Sequence, residues 1–99
     1  MVRHDFAELL ARVGDAIEQM EEVFTTHELI LKLAQANQRL YVEALYAYRD
    51  SERSPFATVH GRIGSHLLTR EELELLERNA PSRDIFGNPG ECGRWRRLQ

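Results

Sequence analysis

The sequence predicts a small, mainly α-helical single domain with an amphipathic N-terminal helix and a C-terminal β-hairpin. Three observations carry that prediction. Apolar residues recur at helical spacing through the first half of the chain, and two Thr-x-x-Glu pairs stand at the heads of apolar stripes. A turn rich in Gly and Pro then separates two final segments that carry large apolar side chains.

The N-terminal element rests on Val2, Phe6, Leu9, Leu10, Val13, Ile17 and Met20, whose spacings of three and four predict one helix over residues 2–22. Gly14 inside it costs about 1 kcal/mol relative to alanine, which points to a close helix partner there. Such a stripe needs an apolar partner, and a second copy of the chain is the expected one. Thr25 with Glu28 predicts a capping box, in which hydroxyl and carboxylate satisfy free backbone donors, heading a helix over 26–36 on Leu29, Ile30, Leu33 and Ala34. Asn37 and Gln38 offer a break before Leu40, Tyr41, Ala44, Leu45 and Tyr48, so 39–49 is either a separate helix or the continuation of a bent one. Tyr41, Leu45 and Tyr48 share a face that Tyr46 does not, and an outward Tyr46 beside Phe56 offers a partner-binding patch or an ordinary edge of the core.

Residues 50–55 end in proline and read as a loop. A short helix over 57–68 follows, with Val59, Ile63 and Leu67 inward and Gly61 and Gly64 softening it. Thr69 with Glu72 repeats the capping pattern and predicts a helix over 70–78, closed by Asn79 and Pro81. From Ser82 onward, Gly87, Asn88, Pro89 and Gly90 lie between Ile85-Phe86 and Trp95, which predicts a hairpin over 84–98.

Ninety-nine residues support one core, with 42% hydrophobic and 29% charged residues, outside the range of disordered chains. The apolar stretch 29–36 falls short of the roughly 18 residues of a membrane span and contains Lys32 and Gln35. With no secretory signal pattern and a single cysteine, Cys92, a reducing, cytoplasmic setting is expected.

Net charge is −3, but the charge is unevenly laid out. Residues 1–50 hold five basic against nine acidic side chains, and residues 51–99 hold eight against seven. Residues 53–70 contain Arg53, Arg62, Arg70, His60 and His66 and no acid, and Arg94, Arg96 and Arg97 form a second cluster. Such a layout places a basic face on an acidic protein.

No catalytic constellation is legible. The four histidines and Cys92 are dispersed, so no metal or other cofactor is expected, and Cys92 lacks a base and an oxyanion site. Glu18, Glu21 and Glu22, and later Glu71, Glu72, Glu74 and Glu77, read as solvated helix faces. Asn88-Pro89-Gly90 lacks the lysine and hydroxyl residue of a phosphate-binding loop.

The order helix 26–36, helix 39–49, loop, basic helix 57–68 and Gly-rich hairpin 84–98 resembles a winged helix-turn-helix domain, here over residues 24–99. The resemblance implies that the third of these helices enters the major groove of DNA and that the hairpin, the wing, touches the phosphate backbone. The matching positions are Thr58, His60, Arg62 and Ser65 on the helix and Arg94, Arg96 and Arg97 on the wing, with Arg53 joining if these side chains converge. Arginines neutralise phosphates and fork onto guanine edges, which suits double-stranded DNA as the partner of a non-catalytic regulator. Trp95 among the arginines either stacks on a base or belongs to the core. The competing reading is a protein-interaction module, which would present an apolar patch in place of a basic one.

Overall fold

The computed structural model describes residues 6–98. In chain order it contains α1 (Ala7–Leu10), α2 (Val13–Glu18), β1 (Val23–Thr25), α3 (Thr26–Ala36), α4 (Gln38–Ala47), α5 (Pro55–Leu67), β2 (Leu73–Arg83) and β3 (Pro89–Arg97). The strands form one antiparallel sheet in the order β1-β3-β2. The fold class is therefore mixed α/β, and the expectations of a mainly α and an all-α protein are corrected.

The N-terminal stripe is helical but not continuous. At Arg12 the backbone tightens, Arg12 N donating to Leu9 O, and separates α1 from α2. Val2 lies outside the described residues. Phe6, Leu9, Val13, Ala16 and Ile17 are all buried, α1 packing on α4 and α2 on α3, and Phe6 stacks on Tyr48 at 5.0 Å. The stripe thus finds its apolar partner within its own chain, which removes the reason for expecting a second copy there. Gly14 makes room for a side chain instead of a helix: a Cβ there would lie 2.8 Å from Nη2 of Arg70.

The capping box at Thr25 is formed, Glu28 N donating to Thr25 Oγ1 and Thr25 N to Glu28 Oε1. Thr25 also ends β1, a three-residue strand too short to leave a periodic trace in the sequence. Asn37 leaves helical geometry, and its amide donates to Leu33 O, so α3 and α4 are two helices. Helix α5 starts two residues earlier than its apolar pattern predicts. Ser54 caps it by accepting from Ala57 N, and Pro55 stands in the first turn, where its missing N–H costs nothing.

The predicted helix over 70–78 does not form: residues 70–72 make a turn and residues 73–78 are the first part of β2. Thr69 turns its hydroxyl to His66 O, and Glu72 is taken by Arg70 at 2.6 Å, so no capping box forms. Leu73 and Leu75 face the core while Glu74 and Glu77 meet Arg96 and Arg94 of β3. The hairpin is consequently longer than expected, and its turn lies at residues 84–88. There Asp84 Oδ1 accepts from Phe86 N and Asn88 N, and Gly87 has φ +85°, the left-handed region that glycine enters freely.

The core lies between the sheet's inner face and the helices. Phe24 and Trp95, paired in register on β1 and β3, are buried with Leu29, Leu33, Val59, Ile63 and Leu67. Among the described residues no helix is long and apolar enough to cross a membrane.

Candidate nucleic-acid interface

Val59, Ile63 and Leu67 anchor α5 to the core, and the helical period turns Gly61, Arg62, Ser65 and Leu68 outward. Arg62 lies over the ring of Phe6, its guanidinium carbon 4.7 Å from the ring centre. Arg53 reaches the same face from the loop before the helix, its Nη1 standing 4.0 Å from the point a Cβ at Gly61 would occupy. Ser51 fastens that loop: its hydroxyl donates to Arg53 O and stands 3.2 Å from the Thr58 hydroxyl.

These side chains enclose a cleft of about 400 Å³ lined by Phe6, Tyr48, Arg53, Thr58, Gly61, Arg62 and Ser65. Four of the eight residues predicted from sequence, Arg53, Thr58, Arg62 and Ser65, thus meet in one place. No carboxylate lines the cleft, and neither arginine forms an ion pair among the described residues.

The other four are elsewhere. His60 turns toward α4, where its Nε2 is 2.5 Å from Tyr41 Oη and its ring stacks on Tyr41 at 5.8 Å. Burial first, and then the neighbouring His27, lower the His60 pKa against the opposing pull of Asp84. Burial also pushes the Tyr41 hydroxyl up to about 12, so Tyr41 stays neutral. Arg94 and Arg96 alternate with the inward Trp95 and so lie on the sheet's outer face, paired with Glu77 at 3.2 Å and with Glu74. Arg97 donates to Met20 O at 2.8 Å, tying β3 to the end of α2. The hairpin arginines therefore serve the sheet, and none of them lines the cleft at α5.

Trp95 is a core residue, 4% exposed, with Nε1 donating to Thr26 Oγ1. Tyr46 is exposed, with the Arg49 guanidinium carbon 4.2 Å from its ring centre, and Phe56 meets Phe86 of the hairpin turn edge-on at 4.8 Å.

Sequence reasoning missed Arg78 and Asn79. Both line a second groove, of about 360 Å³, on the opposite flank of α5, which shares Gly61 and Ser65 with the first cleft. Reading 70–78 as a helix hid them; the alternation Leu73-Glu74-Leu75 and the Pro81 that follows were the available signal for a strand at the edge of a sheet. No protein-family model matches the sequence, and neither curated proteins nor solved structures give a match.

Proposed function

We propose that this protein binds double-stranded nucleic acid through the outer face of α5, as a non-catalytic module of winged-helix type. The observation that carries the reading is the cleft holding Arg53 and Arg62 beside two hydroxyl side chains, with no carboxylate in its lining among the described residues. Two guanidinium groups sharing one cleft repel each other, and a phosphate placed between them relieves that repulsion while Thr58 and Ser65 supply neutral hydrogen-bond donors. The element order adds support, because β2 occupies the place where the first wing strand of such a domain is required. The acidic residues Glu8, Asp15 and Glu18 are exposed on α1 and α2, and none of them lines the cleft. The N-terminal helices are committed to the core, so one chain suffices as the binding unit.

The test is binding to random duplex DNA across a salt series, comparing the natural protein with Arg53→Ala/Arg62→Ala and Arg94→Ala/Arg96→Ala. Affinity is expected to fall with salt, and loss of two phosphate contacts reduces the logarithmic slope by about 1.8. The Arg94/Arg96 variant is expected to keep the natural slope. Absence of binding at about 50 mM salt, or an Arg53/Arg62 variant that binds as well as the natural protein, would overturn the proposal.

A further inference from the structure

We propose that Arg78 and Asn79, presented by a bulge in β2, form the second half of this grip and hold phosphates on the flank of α5 away from Arg53 and Arg62. The inference rests on the nucleic-acid reading of α5 and adds two residues and a geometry to it. The register of β2 against β3 slips twice, between Leu75 and Glu77 and again between Glu77 and Ala80. Each slip inserts an extra residue, and bulges of this kind take side chains out of strict alternation and re-aim them. Here the second slip brings Arg78 and Asn79 into the groove beside α5. Neither side chain makes an ion pair or a hydrogen bond among the described residues, unlike Arg94 and Arg96 on the neighbouring strand. Among the described residues the groove has no acidic lining residue.

Between the two basic flanks lies bare helix. Gly61 and Gly64 both line the groove, and the fold requires neither. Their φ values are not left-handed. A Cβ at Gly64 would make ordinary contact with Thr26 Cγ2 at 3.7 Å, and one at Gly61 would lie 4.0 Å from Arg53 Nη1. Alanine fits at both positions and is the better helix former. What the glycines provide is close access to the α5 backbone between Arg53 and Arg62 on one side and Arg78 and Asn79 on the other. A sugar-phosphate strand is narrow and anionic, and suits a notch flanked by guanidinium groups. A second protein helix would also fit bare glycines, but would have to carry carboxylates toward both flanks to pair the arginines, whereas a sugar-phosphate strand is anionic along its whole length.

The experiment measures binding of a 20-base-pair random duplex, over a salt series and alongside thermal melting, for the natural protein and three variants. These are Arg53→Ala/Arg62→Ala, Arg78→Ala/Asn79→Ala and Gly61→Ala/Gly64→Ala. The Arg78/Asn79 variant is expected to melt like the natural protein, bind about tenfold more weakly and lose about 0.9 from the salt slope. The glycine variant is expected to melt at least about 4 °C higher and still bind more weakly, a split that loss of folding cannot produce. Natural affinity in the Arg78/Asn79 variant, with binding lost in the Arg53/Arg62 variant, would overturn this inference and leave the α5 reading standing. Natural affinity in both arginine variants, or no binding by the natural protein, would overturn the two together. Self-association that the glycine variant abolishes without change in DNA affinity would assign the notch to helix packing and overturn the proposal.

Discussion

The hydroxyl of Thr26 joins α3 to β3 inside the core, accepting from Trp95 Nε1 at 2.9 Å and donating to Gly93 O at 3.3 Å. Gly93 completes the arrangement, because a Cβ there would lie 2.9 Å from Trp95 Nε1 and 3.2 Å from both Leu75 Cδ1 and Thr26 Oγ1. Thr26→Val keeps the shape but strands the buried indole N–H, and is expected to cost about 1–3 kcal/mol in urea unfolding followed by tryptophan fluorescence. Thr26→Ser retains the hydroxyl and should recover most of that loss; if Val and Ser unfold at the same denaturant concentration, the hydrogen bond contributes nothing. From sequence, Trp95 could be read two ways, since flanking arginines suit a base-stacking ring and an isolated tryptophan suits a core. Strand alternation decides between them, sending Arg94 and Arg96 outward and Trp95 inward. The arginines of the α5 cleft were legible for the opposite reason: residues 53–70 contain no acid, so their basic character stands out within that stretch, between Glu52 before it and Glu71 after it.

Elements whose stabilising contacts are local were readable, and those completed by a distant strand were not. Helix α3 announces itself through Thr25, Glu28 and a four-residue apolar stripe, and α5 through the Val59, Ile63 and Leu67 series, whereas Ser54 and Pro55, which read as the end of a loop, form its cap and first turn. In β2, by contrast, Leu73 with Leu76 and Glu74 with Glu77 satisfy a helical spacing as well as they do a bulged strand. The decision belongs to β3, whose Arg96 and Arg94 meet Glu74 and Glu77 across the ladder. These pairs are nearly half exposed, so each contributes only about 0.2–1 kcal/mol after solvent screening. Glu74→Lys sets a like charge against Arg96 and is expected to destabilise by about 1 kcal/mol. The Glu74→Lys/Arg96→Glu exchange should restore stability, and a double-mutant cycle with no coupling energy would show that the hairpin is held by Leu73, Leu75 and Trp95 alone.

At the scale of the molecule, histidines sit where helices and hairpin meet. His60 bridges α5 to α4 through Tyr41, His27 approaches it from α3 and Asp84 from the hairpin turn, whose Phe86 rests on Phe56. His66, whose Nε2 is buried without a hydrogen-bond partner among the described residues, is likewise lowered, first by burial and then by Arg70, against Glu72. A histidine with a folded pKa below its ordinary 6.5 disfavours the proton in the native state, so the unfolded chain binds more protons between the two values. Stability from both residues is therefore fully present above about pH 6.5 and is lost as pH falls through their lower folded values. Glu72, held down chiefly by its hydrogen bond from Arg70, and Asp84, held down chiefly by Asn88 N, shift in the same direction but titrate from their ordinary 4.5 and 3.8 downward. They act below the histidine window. Melting temperatures taken between pH 7.5 and 5 are expected to fall with acid, and His60→Gln, which can still hydrogen-bond Tyr41, should flatten the curve while His66 maintains a residual slope. A His60→Gln curve parallel to that of the natural protein would mean that His60 takes up its proton as easily in the fold as in the open chain, and that the joint of α3, α4, α5 and the hairpin carries no acid sensitivity.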